Sequence, residues 1–313
     1  MRNLQYQCIA IVYLVILSML LLSKVLIAAP DEASGYTVTL SLSSLKKMDR
    51  RKQKTKKSPA YLDAVGKINV LLTKDAELLR CSGTLIAAMP GEASRVIKSA
   101  GHCFGSTKTL KKYPIHKITW QVNTQSGESI ELPLTLEYLS LEQDSALLSL
   151  EAKIPFMTIK PALVIKPNQG DKAFEQVKFL ISVNPEYKLI SAGFSADTHK
   201  GKNGDILTFD DVLNVKHIND ESAKEYDFSI RTVSYTGASG GACLLHSDLT
   251  KSGINNPHRQ VIYLGTTLTI RGDNGLYRNR LDGIMGSPLT FYNSFNEIDF
   301  EQVNNLNRHS VTD

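Results

Sequence analysis

Much that would direct this chain toward a cofactor, a metal or a nucleic acid is missing from its sequence. Apart from one candidate site, the histidines His116, His199, His217, His246, His258 and His309 form no pair at metal-ligand spacing. No glycine-rich loop is built to cradle a phosphate. No metal and no cofactor is therefore expected. No block recurs at a fixed period, which excludes solenoids and propellers. Apolar residues make up 42% and charged residues 21%, a mixture that is neither disordered nor fibrous. The net charge of +5 is concentrated in one place. Lys46 to Lys57 carries eight basic residues against Asp49 alone, a local +7 that leaves −2 for the rest. A body so near neutrality has no basic face for nucleic acid, and no such partner is expected.

Cysteine is also scarce, with four in 313 residues, and its meaning depends on the compartment. Residues 9 to 23 form an uncharged apolar run behind Arg2, and after Lys24 the chain stays apolar to Ala29. That is an export signal, so a secreted or periplasmic location is expected. Two fates of the segment stay open. Cleavage after Ala29 would put Pro30 next to the scissile bond, Ala28 has the bulky Leu26 two residues before it, and Gly35, preceded by Ala33, offers a later site. Retained, Cys8 to Ala29 is long enough to span a bilayer and would tether the chain to the membrane. With Cys8 in this segment, Cys81, Cys103 and Cys243 remain, and in an oxidising compartment one bridge plus one odd thiol is the natural count.

Organisation follows from composition and period. Residues 1–35 are read as signal peptide or anchor and 36–60 as a basic linker. The linker is a solvated segment, a processing site at paired basic residues, or a patch on anionic lipid. After residue 60 the period becomes two. Ile130, Leu132, Leu134 and Leu136 fall on one face and Glu131, Pro133, Thr135 and Glu137 on the other, with Pro133 suited to an edge or bulge. Similar runs at Ile68 to Thr73, Val177 to Val183 and Val261 to Ile270 predict an all-β body. Prolines at 155, 161 and 167 mark a changeover that divides it into 61–165 and 166–313. Ser294 and Glu297 make a capping box ahead of a short C-terminal helix.

Three segments carry chemistry. They are Cys81-Ser82-Gly83-Thr84-Leu85-Ile86 with Ser99-Ala100-Gly101-His102-Cys103, then Asp144-Ser145-Ala146-Leu147-Leu148-Ser149-Leu150, then Thr236-Gly237-Ala238-Ser239-Gly240-Gly241-Ala242. A histidine beside a cysteine, or an aspartate at a strand head, is ordinary in isolation. A serine among small residues is more specific, because amides that must converge on one oxyanion need side chains out of the way.

In order and interval, the three segments together resemble the trypsin/chymotrypsin family of serine proteases. The resemblance implies two packed six-stranded β-barrels with a short C-terminal helix, the first barrel supplying His102 and Asp144 and the second Ser239. It implies that Ser239 is the nucleophile, His102 the proton carrier and Asp144 its orienter, with the amides of Gly237 and Ser239 as the oxyanion hole. It further implies a Cys81–Cys103 disulfide, which leaves Cys243 as either a small buried apolar residue or an intermolecular or regulatory thiol. Val233 would lie toward the base of the specificity pocket and Thr267 or Thr269 on its wall. The function implied is an endopeptidase acting on protein or peptide substrates; the alternative is a catalytically silent binding or scaffold protein on the same fold. Ala238 departs from the pattern, since many animal relatives carry an aspartate there that pairs with a newly cut amino terminus. The oxyanion hole is therefore expected to be held by local packing and backbone hydrogen bonds.

Overall fold

The computed structural model describes residues 42–73, 78–105, 114–167, 187–213, 218–220, 227–246, 260–268, 277–278, 285–287 and 289–308. The export segment, Thr269 and the expected strand Val177 to Val183 lie outside these residues. Within them, no helix is long and apolar enough to cross a membrane.

The described chain opens with a helix, Leu42–Met48, and a two-residue strand β1, Lys52–Gln53. Six strands follow: β2 (Val65–Leu72), β3 (Leu78–Ala87), β4 (Ser94–Ser99), β5 (Ile115–Asn123), β6 (Ser129–Ser140) and β7 (Ser145–Ile154). Each pairs antiparallel with its neighbours in the order β3-β2-β5-β6-β7-β4, and β4 returns to β3, so the sheet closes into a barrel without free edges. Alternation decides what faces inward: Ile68, Val70, Leu85, Ile97, Trp120, Val122, Leu148 and Leu150 fill the interior. Pro133, which cannot donate to a ladder, sits opposite Thr119 of β5, just before the pairing with β7 begins at Leu134.

The two-residue strand β8 (Ala162–Leu163) then runs parallel to both β3 and the later strand Ile262–Leu268, splicing the two halves into one sheet. The second half comprises β9 (Lys188–Phe194), β10 (Leu207–Leu213), β11 (Ile218–Asp220), β12 (Phe228–Ile230), β13 (Ser234–Tyr235), β14 (Ala242–His246), β15 (Ile262–Leu268), β16 (Tyr277–Arg278), β17 (Met285–Ser287) and β18 (Thr290–Ser294). Its main sheet has the order β10-β9-β14-β15-β18-β12 around a core that includes Leu189, Phe228, Leu245, Leu264 and Tyr292. The fold is thus mostly β, a closed six-stranded barrel followed by further strands of the same sheet, with one C-terminal helix.

That helix, Glu297–Arg308, belongs to the second half of the sequence but packs on the first barrel, with Asn307 accepting from Ser94 Oγ at 3.2 Å and from the Arg95 amide at 3.3 Å. Its cap is Asn296, whose Oδ1 accepts the Asp299 N–H at 2.8 Å, and not the expected Ser294. The cap thus lies two residues later than expected, and in the first turn after it Asp299 comes within 2.6 Å of the buried Lys98.

The basic segment is the main departure from expectation. Over 42–53 it is not a solvated linker but a strap across the second half, and Lys54 turns to the first half. Leu45 is buried with Val233 and Tyr235, β1 pairs with β10, and the segment's charges meet carboxylates: Arg51 with Asp197, Lys52 with Asp211 and Lys54 with Asp63. Net charge pointed to solvent because composition does not reveal which acidic residues lie opposite.

Candidate active site

His102 follows β4 in a single 3-10 turn, Gly101–Phe104. Gly101 is required there because a Cβ would lie 2.6 Å from the Ser140 carbonyl and 2.9 Å from the Ser145 nitrogen, on either side of the β6–β7 connection. This close approach brings the turn against Asp144. The same turn is tied to β3 by a disulfide between Cys81 and Cys103, closing 22 residues of chain, worth about 3 kcal/mol on the loop-entropy estimate. Both sulfurs near His102 are bonded to each other, so they offer no thiolate to a metal.

Asp144 stands at the head of β7 with φ of 47°, a left-handed backbone that Asp tolerates better than most residues. The turn aims its carboxylate at His102: Oδ1 accepts the His102 backbone N–H at 2.8 Å, and the ring Nδ1 lies 2.9 Å from both oxygens. A carboxylate can only accept, so Nδ1 carries the ring proton and Nε2 is left as the base. The carboxylate is buried while the imidazole remains 31% exposed.

Ser239 lies in the turn from β13 to β14. Two overlapping turns, Ala238 N–H to Tyr235 O at 3.1 Å and Gly241 N–H to Ala238 O at 2.9 Å, fold the segment on itself. Gly237 and Gly240 flank the serine with φ of 93° and 79°, and a Cβ on Gly240 would stand 2.1 Å from the Ser82 carbonyl. The loop is then pinned from outside. Gly240 donates to the Thr267 carbonyl at 2.7 Å, Thr267 to Gly241 at 2.9 Å, Ala196 to Thr236 at 2.7 Å, and the Ser82 amide to the Ser239 carbonyl at 2.7 Å.

Ser82 was not singled out by the sequence. Its fully buried hydroxyl donates to the Gly237 carbonyl at 3.0 Å and accepts the Phe194 N–H at 2.8 Å, while its carbonyl accepts from Ser99 Oγ at 2.8 Å. One residue of β3 thereby fastens the Ser239 loop to both halves of the fold. No local pattern could have found it, since its side-chain partners are 112 and 155 residues away.

His102, Gly237 and Ser239 line one cavity of about 400 Å³, together with Cys81, Thr236 and Phe194. Of the residues expected in a specificity pocket, Val233 and Thr267 do not line this cavity, and Thr269 lies outside the described residues. Val233 is buried beneath the Leu42–Met48 helix, against Leu45 and Tyr235, and lines a separate cavity of about 620 Å³ with Lys47 and Arg50. An offset counted from Ser239 misplaces it because the strap covers that side of the barrel. Thr267 is buried and braces the Ser239 loop through its main chain. Cys243 is a free, fully buried thiol pushed up by burial.

No family model and no curated protein matches the chain. Among solved structures it is similar to the protease Anisep from Arthrobacter nicotinovorans, at 14% identity over 80% of this chain and 99% of that one, with a TM-score of 0.49. It is similar to the thermostable serine protease AL20 from an extremophilic microorganism, at 16% identity over 82% and 100%, with a TM-score of 0.46. A third is HL collagenase, at 14% identity over 79% and 96%, with a TM-score of 0.48.

Proposed function

We propose that this chain is an exported serine endopeptidase that cleaves protein or peptide substrates through an acyl-enzyme. The observation that carries the reading is the pairing of His102 Nδ1 with both Asp144 oxygens while His102 and Ser239 share a cavity. In the first step Ser239 Oγ bonds to the scissile carbonyl carbon and its proton passes to His102 Nε2. Asp144 keeps the ring in the productive tautomer and stabilises the imidazolium. The amides of Gly237 and Ser239 receive the negative charge on the carbonyl oxygen, at about 3 kcal/mol per donor. His102 returns the proton to the leaving amine as the C–N bond breaks, and water repeats the sequence on the ester. The disulfide fits an oxidising compartment, consistent with export.

The test is labelling by a fluorophosphonate, followed by mass mapping. A single adduct on Ser239, absent in Ser239→Ala and in His102→Ala, together with cleavage of a peptide library, is the expected outcome. An unlabelled native protein, or full cleavage by Ser239→Ala, refutes the reading.

A further inference from the structure

The oxyanion hole depends on the direction of the Gly237 amide, and the neighbouring Ala238 has no charge with which to fix it. Peptide planarity supplies a handle. In a trans peptide the C=O and N–H point opposite ways, so whatever holds the Thr236 carbonyl sets where the Gly237 N–H points. That carbonyl accepts from Ala196 at 2.7 Å. Gly237, at φ of 93°, has no Cβ to resist a flip of this peptide, so the position of Ala196 matters.

Ala196 begins the 196–201 turn, which is organised from the strap. Asp197 Oδ2 accepts the amides of Lys200 at 2.7 Å and Gly201 at 3.1 Å, while its Oδ1 accepts from Arg51 at 3.1 Å. Lys200 Nζ reaches back to the carbonyls of Asp49 and Arg51, at 2.7 and 2.6 Å, and Gln53 donates to the Lys200 carbonyl at 2.7 Å. Arg51 is buried although Arg50 and Lys52 on either side are exposed. Its guanidinium makes a two-bond fork to Asp49 at 2.9 and 2.7 Å and donates to Thr208 at 3.2 Å. It also lies 4.8 Å above the ring of Tyr235, whose carbonyl accepts the Ala238 amide. Arg51 therefore grips both sides of the Thr236–Gly237 peptide, one through Asp197 and the other through Tyr235. None of Asp49, Arg51 and Asp197 lines the cavity of His102 and Ser239.

We infer that Arg51 is a positioning residue for the oxyanion hole, and that the segment from Leu42 to Gln53 is a built-in brace holding the Ser239 loop in its active form. The inference rests on the endopeptidase reading for its kinetic consequence, but the brace itself is structural and can be read without turnover.

The experiment compares the native chain with Arg51→Met, which keeps the apolar stem, and Arg51→Lys, which keeps a charge without the fork. In Arg51→Met kcat should fall about 10²-fold, as for loss of one oxyanion donor, with KM nearly unchanged. Affinity for a peptide boronic acid, whose tetrahedral adduct places an oxygen in the hole, should fall by the same factor. Affinity for the matching peptide amide should stay the same, as should the far-downfield proton signal of His102 Nδ1. Arg51→Lys should lie between, and ethylguanidinium should restore part of the rate to Arg51→Met. Native kcat in Arg51→Met, or equal losses for boronate and amide, would overturn the inference. Should Arg51→Met not fold, Asp197→Asn is read the same way. Should the native chain prove inactive, the endopeptidase reading fails while amide exchange still decides the brace. Faster exchange across 234–241 in Arg51→Met supports it, and unchanged exchange overturns it.

Discussion

At the scale of single residues the site is a set of side chains whose backbones have been forced into place. Asp144 illustrates this, since its left-handed backbone, of a kind that costs about 1–3 kcal/mol in most residues, is what turns the carboxylate toward His102. Asparagine tolerates the same conformation, so Asp144→Asn removes the carboxylate without adding strain. Its expected effect is a drop in kcat of about 10⁴-fold through the wrong imidazole tautomer, with a melting temperature close to native; steady-state kinetics and calorimetry on one preparation check both parts. Ser82→Ala should behave differently. It leaves the Phe194 amide and Gly237 carbonyl without the hydroxyl that now joins them, at a cost of about 1–3 kcal/mol in denaturant unfolding, and it loosens the oxyanion hole, so stability and kcat should fall together. His102, Asp144 and Ser239 could be singled out in the sequence because their three short segments fall in a telling order and interval, although two of them are ordinary alone. Ser82 and Arg51 could not, because their importance comes from partners far away in the chain.

At the scale of elements, the strap changes what the basic run means. The strand period could be read from alternation, which is local, and the C-terminal helix from its sequence although its cap is Asn296 and not Ser294; the two-barrel layout comes from the family resemblance. The place of residues 42–53 could not be read, since it depends on carboxylates at 197, 210 and 211 that the second half presents to it. Burial works against charge at both ends of the Arg51–Asp197 pair. At Arg51 the hydrogen bonds and charges of Asp49 and Asp197 outweigh it and hold the guanidinium above its ordinary value. At Asp197 burial would raise the carboxyl, but the charge and hydrogen bond of Arg51, with the amides of Lys200 and Gly201, keep it below the usual carboxylate range. The folded value of Asp197 thus lies under its unfolded value of about 3.9. Its stabilisation is complete above that pH and is lost as pH falls through the folded value. Asp197→Asn should therefore be less stable than native at pH 7, and the difference in melting temperature should shrink as pH falls below the unfolded value of about 3.9. A gap that did not shrink on acidification below that value would mean that the ionised carboxylate is not what ties the strap down.

At the scale of the whole molecule, the two halves are joined strongly enough that they should not unfold separately. The β8 splice, the helix that leaves the second half to pack on β4, and the hydroxyl of Ser82 all cross between them. The most consequential crossing is Lys98 with Asp299, 2.6 Å apart with both side chains buried and Ser145 completing the cluster at 2.6 Å from Lys98. Such a pair adds little over a well-packed apolar substitute, whereas removal of one partner strands a charge and costs about 3–5 kcal/mol. Asp299→Ala should therefore destabilise by that amount, while Lys98→Met with Asp299→Leu should recover most of the loss. The chain's single tryptophan, Trp120, is fully buried in the first barrel and reports on that half, whereas Ser239 reactivity needs His102 of the first half and Ser239 of the second and so reports on both together. Tryptophan fluorescence and fluorophosphonate reactivity should lose their native signals at the same denaturant concentration in the native chain. In Asp299→Ala both midpoints should shift down together, as one cooperative unit requires. If reactivity were lost at lower denaturant than fluorescence, the second half or its docking would be failing while the first barrel stayed folded, and the two halves would not form one cooperative unit.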